Sequence, residues 1–332
     1  MVHKPKDTDY LYISTRLRSL ENALLTRERM ERMLEAKSNT EAAKILTECG
    51  YLGLEPLNEE TLNLSLARHR EEVFQEISEY CPNKHLVDVF RLKYDYHNAK
   101  VLLKCQATGS DPGSMLIHAG IYSIASLESA LRGEEDTGLS PIMADALRRG
   151  QDTLSTTQDA RQSDFILDRA CYEEMLRKAE ASQADFLLGY LRLQIDVLNL
   201  RSAVRSLRQN KDMAFLKTAL LPGGNVDMDQ IISLCLSGES FSALFTGSLQ
   251  EAAILGDAAK KGGRQTAFEK ACDNALCGYL KDCHMIPFGD AVVTAYLAAK
   301  ENEITAARMI LSGRLSGVDA ASIRERLRDP YV

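Results

Sequence analysis

The chain has 332 residues, of which 45% are hydrophobic and 26% charged, a composition typical of a globular protein with a sizeable buried core. Its net charge of −7 argues against a general affinity for nucleic acid or anionic lipid, because both bind basic surfaces. Tryptophan is absent and aromatic residues make up 6%, so stacking platforms for single-stranded nucleic acid are not expected.

The sequence also bears on targeting. Residues 1–20 contain no apolar stretch of signal-peptide length, and no window approaches the ~18–20 uninterrupted apolar residues of a membrane span. We therefore expect neither a signal peptide nor a span. The eight cysteines are scattered through helical patterns, which, without an export signal, predicts reduced cytosolic thiols.

The first third of the chain predicts helices separated by clear breaks. Residues 10–32 carry apolar side chains three and four apart, which predicts one helix. Ser38 is expected to cap a following helix, since its short polar side chain can accept the first free amides. Residues 58–80 and 85–105 then predict two long helices, and the stretch 109–113 is the clearest linker.

The middle of the chain repeats this order. Residues 116–131 predict a turn and a short helix. Ser140 and Pro141 start another short helix, because proline is tolerated at the first helical position. Residues 159–181 and 183–208 predict two long helices.

The last third begins with an echo of the middle. Residues 220–234 match residues 116–131, with Gly224 in the position of Gly120. Long helices follow, and the last of them carries Glu303. Strand patterns are almost missing from the whole chain, so we predict an all-α fold.

The same spacing of polar residues recurs on the last long helix of each third of the chain. The three copies are Asp95, Asn98 and Lys100; Asp196, Asn199 and Arg201; and, more loosely, Glu303, Ala306 and Arg308. The carboxylates are 101 and 107 residues apart (95 to 196, and 196 to 303). A residue pattern that recurs at nearly equal intervals indicates one structural unit used three times.

We therefore divide the chain into three helical repeat units, 1–108, 109–211 and 212–332, the third ending in a C-terminal helix. Each unit has roughly two short helices followed by two long ones. The repeat is compatible with three-fold pseudo-symmetry and with a three-step array.

The recurring residues are candidates for joining helices. The helix of the second copy is apolar over most of its surface, which indicates burial. Asp196 and Arg201 point about 140° apart on it and cannot pair with each other. A buried carboxylate needs a partner, so we expect one on another helix. The candidates are Asp95, Asn98, Asp196, Asn199, Arg201, Glu303 and Arg308. Some of them are also compatible with lining a central surface for a partner protein.

Motifs for catalysis and cofactor binding are missing from the sequence. It contains no phosphate-binding GxxxxGK[ST] loop, no GxGxxG, no GxSxG and no HExxH. The one metal-like cluster is Cys272, Cys277, Cys283 and His284. Cys272 and Cys277 lie five apart on a predicted helix and diverge, which disfavours zinc. We predict no catalytic residue, no cofactor and no metal.

Five stretches, taken in order, carry a resemblance to a known family. They are YLYISTRLRSLENALL, MLEAKSNTEAAKIL followed by Gly50 and Tyr51, DVFRLKYDYHNAKVLLK, RLQIDVLNLRSAVR, and the final FGDAVVTAYLAAKENEITAARMILSGRLSGVDAASIRERL. The chain resembles the C subunit of the bacterial and archaeal V-type (A/V-type) ATPase/ATP synthase, the counterpart of the d subunit of the eukaryotic V-ATPase. The resemblance covers essentially the whole chain.

This resemblance implies a fold and a function. The fold would be an all-helical funnel of three similar sub-bundles around a pseudo-three-fold axis. The protein would be a non-catalytic rotor subunit, peripheral on the cytoplasmic face of the membrane and a monomer within a larger complex. It would couple the central-shaft subunits of D and F type to the membrane proteolipid ring and transmit torque for ion transport, without nucleotide or nucleic acid.

Two alternatives remain open at this point. One is a free-standing helical scaffold that clamps partner helices without a motor. The other is a thiol- or zinc-dependent helical enzyme that uses the cluster from Cys272 to His284.

Overall fold

The computed structural model describes residues 5–332, and in that range it contains α-helices and short 3-10 turns but no β-strand. The prediction of an all-α fold is confirmed. The start of the segment in which we expect no signal peptide, residues 1–4, lies outside the described residues. None of the described helices is both long and apolar enough to cross a membrane.

Fifteen α-helices follow one another in residues 5–332. The first eight are α1 (Leu11–Leu20), α2 (Arg27–Glu35), α3 (Asn39–Glu48), α4 (Glu59–Tyr80), α5 (His85–Thr108), α6 (Ile124–Leu131), α7 (Pro141–Thr157) and α8 (Ala160–Ala181). The others are α9 (Asp185–Arg208), α10 (Met213–Ala219), α11 (Met228–Ser237), α12 (Gln250–Lys260), α13 (Gln265–Lys281), α14 (Asp290–Leu315) and α15 (Ala320–Arg326).

The predicted long helices agree with α4, α5, α8 and α9, and the predicted cap at Ser38 is confirmed. The side chains of Ser38, Asn58 and Ser140 each accept a hydrogen bond from a backbone N–H in the first turn of α3, α4 and α7. Such bonds satisfy donors that have no partner within the helix. The polar residues that begin these helices are therefore readable from the sequence.

The prediction of one helix over residues 10–32 is wrong at its centre. α1 ends at Leu20, a 3-10 turn covers Glu21–Ala23, and α2 begins only after Thr26, which caps it. Leu24 between them is extended. The cause is a long-range contact, since the N–H of Leu25 donates to the Glu303 carboxylate at 2.6 Å instead of continuing the helix.

The chain forms two compact units. One comprises the residues up to Lys84 together with Phe241–Val332, and the other comprises His85–Ser240. The first unit is built around α14, on which α1, α2, α3, α4, α13 and α15 pack. Residues Ala291–Lys300 of α14 are buried without interruption, so this helix is the core of the first unit.

The second unit is built around α8, which packs against α5, α7, α9 and α10. Leu167, at the centre of α8, is fully buried, as are Leu92 of α5 and Leu200 of α9. Burying such side chains contributes about 1.5–3 kcal/mol each, which fixes the long helices that carry Asp95 and Asp196.

In each of the series α2–α5, α6–α9 and α11–α14, the last two helices are longer than the first two. α7 is longer than predicted, with 17 residues. The two compact units are defined by contacts in space, whereas the three predicted repeat units are defined by sequence. The repeat boundaries after residues 108 and 211 therefore stay a prediction.

Candidate functional site

Asp95 on α5 holds the segment that leads into α6. The carboxylate is fully buried and accepts the backbone N–H groups of Ile121 at 2.9 Å and Tyr122 at 3.0 Å. One turn along α5, the Asn98 side chain donates to the carbonyl of Ile117 at 2.8 Å and accepts its N–H at 2.9 Å. Four hydrogen bonds therefore fix the segment immediately before the N-cap of α6.

Asp196 on α9 makes the corresponding contacts with the segment before α11. Its carboxylate accepts the N–H of Val226 at 3.0 Å, the N–H of Asn225 at 3.2 Å and the side-chain amide of Asn225 at 2.8 Å. Asn199 exchanges two hydrogen bonds of 2.8 Å with the backbone of Leu221. The partner of the buried carboxylate is thus a set of amides in a loop and not a cation on a helix.

Glu303 on α14 makes the third such contact, with the segment before α2. Its carboxylate accepts the N–H of Leu25 at 2.6 Å, the hydroxyl of Tyr51 at 2.7 Å and the ammonium of Lys300 at 2.8 Å. Ala306 replaces the asparagine, so its hydrogen bonds are not made here. We call Asp95, Asp196 and Glu303, each together with the loop N–H groups that donate hydrogen bonds to it, the first, second and third loop-holding sites.

The three sites share one register. The residue that donates its backbone N–H stands directly before the N-cap in each case: Tyr122 before Ser123, Val226 before Asp227, and Leu25 before Thr26. Each N-cap side chain then bonds the first turn of its own short helix. A long helix thereby sets the starting point of a short one, which makes the connection between them stiff.

Glycine is required where the loop passes the carboxylate. A Cβ atom on Gly120 would lie against Oδ1 of Asp95, with Cγ at 2.7 Å, and a Cβ on Gly224 would lie against Oδ1 of Asp196. Both distances to Oδ1 are far below van der Waals contact. The Gly120–Gly224 match in the sequence therefore has a steric cause.

The third site includes a buried ion pair. Lys300 and Glu303 are each 4% exposed, and the Lys300 ammonium also lies 3.2 Å from Nε2 of His69. Burial, and then the charge of Lys300, lower the pKa of His69 to about 4, so the ring is neutral near pH 7 and its Nε2 can accept a hydrogen bond from the ammonium. The pair is thus hydrogen-bonded on both members, which a buried charge requires.

Tyr51→Phe is expected to lower the free energy of unfolding by about 1–2 kcal/mol, because it removes one hydrogen bond to a buried charged acceptor. Tyr51 is fully buried and its hydroxyl donates to Glu303. Urea unfolding measures the effect. The control is Tyr12→Phe, at a position 60% exposed, where we expect no measurable change. Equal stabilities of both variants would contradict the contribution of the Tyr51 hydroxyl.

Burial dominates the electrostatics of the two aspartates. It raises the pKa of Asp95 to about 6, although the N–H groups of Ile121 and Tyr122 act in the opposite direction. Glu174 adds to the rise and Arg91 opposes it. The pKa of Asp196 is raised for the same first reason, against the hydrogen bonds from Val226 and Asn225.

The Asp95 carboxyl is expected to titrate near pH 6 instead of near 3.8. Because the folded protein then binds more protons than the unfolded chain between these values, the contribution of Asp95 to stability is greatest below pH 3.8 and falls as pH rises through 6. The carboxyl carbon shift in NMR measures the titration. Asp145, whose pKa the Arg148 guanidinium lowers, is the control. Titration of Asp95 below pH 4 would contradict the effect of burial.

The cations of the recurring pattern are placed differently from the carboxylates. Lys100 donates to Asp168 of α8 at 2.6 Å. Arg201 is partly buried on α9, and Arg308 is exposed on α14. The structural role predicted for Arg201 and Arg308 stays a prediction.

All eight cysteines are buried, and none of them forms a disulfide in the described residues. In the metal-like cluster, Cys277 donates to the carbonyl of Pro330 at 3.4 Å, and the His284 ring lies 4.5 Å from that of Tyr331. Among residues 5–332, no group of three His, Cys, Asp or Glu side chains is placed to hold a metal ion.

Sequence reasoning found the carboxylates and missed most of their partners. Nothing in the sequence pattern marks Leu25, Tyr51 or Lys300, although each bonds Glu303. A usable signal was present for the loops. The matched glycines stand three residues before a capping Ser or Asp, at Ser123 and Asp227, and this pattern marks where a loop can pass a side chain closely.

The chain matches known proteins over nearly its whole length. Residues 13–326 match the family model of the ATP synthase (C/AC39) subunit. The C subunit of the V-type sodium ATPase of Enterococcus hirae is 23% identical over an alignment that covers 97% of this chain and 99% of the relative. The C subunit of the V-type ATP synthase of Thermus thermophilus is also 23% identical, with the same coverage. The C subunit of the A-type ATP synthase of Thermococcus kodakarensis is 22% identical, covering 96% and 90%.

Proposed function

The chain belongs to the ATP synthase (C/AC39) subunit family, and we propose that it is the non-catalytic rotor subunit that couples the central shaft of a V-type ATPase/ATP synthase to the membrane proteolipid ring. The observation that carries the proposal is the family match over residues 13–326. Relatives named as the C subunits of V-type and A-type enzymes align with almost the entire chain, which supports a role as a subunit of such a complex.

In this role the protein transmits torque between ATP chemistry in the head and ion movement at the ring. Its partners are shaft subunits of D and F type and the proteolipid ring, and it sits peripherally on the cytoplasmic face as one copy per complex. The helical repeat would form three sub-bundles around a pseudo-three-fold axis, as a funnel that receives the shaft. The same carboxylate-to-loop contact at Asp95, Asp196 and Glu303 supports such a three-fold arrangement.

Torque transmission needs connections that do not yield. Each loop-holding site joins a long helix to the start of a short one through hydrogen bonds to a buried carboxylate. Hydrogen bonds in such surroundings are electrostatically stronger than in water. These contacts would keep the sub-bundles rigid under load, which is the mechanical role that we propose for Asp95, Asn98, Asp196, Asn199 and Glu303.

A pull-down tests the proposal. Tagged protein is recovered from its native membranes after solubilisation in mild detergent, and the bound proteins are identified and quantified. We expect ATPase head, shaft and proteolipid-ring subunits in stoichiometric amounts, and none of them from cells that express the tag alone. Recovery of the protein without any of these subunits would overturn the motor function.

A coupling assay tests the mechanical role separately. Membranes depleted of the protein are expected to lose ATP-driven ion transport, and addition of the purified protein is expected to restore it. Transport that continues in the depleted membranes would overturn a role between shaft and ring.

A further inference from the structure

The stretch Arg328–Tyr331, after α15, has no regular secondary structure but is bound to helices from both segments of the first unit. On α13, Asn274 donates to the Asp329 carboxylate at 2.8 Å and accepts its N–H at 3.0 Å. Arg328 also pairs with Asp273 at 2.5 Å. The stretch is therefore anchored along one side of α13.

The opposite side of this stretch reaches the N-terminal helices. Tyr331 is 4% exposed, and its hydroxyl lies between the Arg18 guanidinium at 3.3 Å and the Glu21 carboxylate at 3.2 Å. Arg27 of α2 pairs with Asp329. The stretch thus bridges α13 and the segment around α1 and α2.

Between these contacts the stretch covers the third loop-holding site. A cavity of about 30 Å³, room for about one water molecule, is lined by Leu24, Leu25 and Glu303 together with residues 328–332. The stretch and the residues of the third loop-holding site therefore enclose the same small space. Removing the stretch would open this face of the site to solvent.

None of the hydrogen bonds described above for the stretch is fully buried: they are part-buried or exposed. The Arg27–Asp329 pair is about half exposed on both sides, and exposed pairs contribute roughly 0–1 kcal/mol. Tyr331 is the one side chain of the four that is buried. Segments with few buried contacts open at lower free energy than the whole protein unfolds.

We propose that Arg328–Tyr331 is a releasable strap over the third loop-holding site. When the strap is closed, it keeps bulk solvent from the Leu25–Glu303 hydrogen bond and ties α13 to α1 and α2. When it opens, that bond is hydrated while the first and second loop-holding sites keep their protection. The strap thereby makes the third connection the adjustable one.

Hydrogen exchange of single amides tests the strap, because the three sites supply matched probes. The N–H groups of Leu25, Tyr122 and Val226 are compared by NMR in the full chain and in Tyr331→Ala. We expect exchange at Leu25 to rise at least tenfold in the variant, with Tyr122 and Val226 unchanged. Unchanged exchange at Leu25, or an equal rise at all three amides, would overturn the proposal.

A milder variant keeps the test decisive if Tyr331→Ala does not fold. Tyr331→Phe retains the buried ring and removes the bonds to Arg18 and Glu21. We expect a rise of about threefold at Leu25 and none at Tyr122 or Val226. The absence of a selective rise at Leu25 in this folded variant would equally overturn the strap.

Discussion

Asp196→Ala is expected to lower the free energy of unfolding by about 3 kcal/mol, because it leaves three donors without their acceptor. In the native protein, the carboxylate accepts both backbone N–H groups of Asn225 and Val226 and the Asn225 side-chain amide. The burial that raises the pKa of Asp196 also makes its charge costly, which offsets part of the loss. Thermal and urea unfolding, followed by far-ultraviolet circular dichroism, measure the change.

The matched control is Asp229→Ala, in the first turn of α11 and a few residues from the same loop. Asp229 is exposed, and we expect its replacement to change stability by no more than about 0.5 kcal/mol. An unchanged melting temperature for Asp196→Ala would contradict a structural role of the carboxylate. A similar small loss in both variants would mean that Asp196 contributes only as a surface charge does.

The long helices could be predicted from the sequence because their signals are local. Helical patterns in the sequence placed α4 and α8 within about one residue of their ends. Asp95 and Asp196 stood out because a carboxylate on an otherwise apolar helix is costly without a partner. The helix positions and the two aspartates could both be recognised because they depend only on residue type and spacing, which can be read from the sequence.

The partners of these carboxylates could not be predicted in the same way. They are backbone N–H groups, which every residue except proline carries. The residue types at Tyr122 and Val226 therefore do not indicate that their N–H groups bond a carboxylate. The expectation of a partner on another helix followed from counting side-chain charges alone. Donors in a loop satisfy a buried carboxylate equally well, and they add no second charge to be desolvated.

The third site shows the limit most clearly. Glu303 and Leu25 are 278 residues apart, and their hydrogen bond breaks what local periodicity predicts as a continuous helix. The apolar spacing of residues 10–32 is real, but Thr26 offers an alternative helix start and Glu303 selects it. A tertiary contact overrides local propensity here because it satisfies a buried charge, whereas continuing the helix would satisfy only one amide.

Gly224→Ala is expected to lower the free energy of unfolding by about 2–3 kcal/mol, in the range of overpacked interiors. The added Cβ would meet Oδ1 of Asp196 and would lie 3.1 Å from Cγ2 of Ile195, so the loop or these side chains must shift to make room for it. The control is Gly278→Ala, inside α13, where no atom lies within 4 Å of the new Cβ. That change is expected to stabilise the protein by about 0.5–1 kcal/mol, since alanine favours helix over glycine.

A double-mutant cycle separates a steric conflict with the carboxylate from general damage to the loop. Once Asp196→Ala has removed the carboxylate, the Cβ at Gly224 has space, so the double variant should lose at least about 1 kcal/mol less than the two single losses together. Strict additivity would place the conflict at Ile195 instead. Such a coupling would show that Gly224 and Asp196, which match Gly120 and Asp95 in the sequence, act through one contact. If the same cycle at Asp95 and Gly120 also shows the coupling, the repeat preserves a geometry in which a glycine in a loop passes a buried carboxylate.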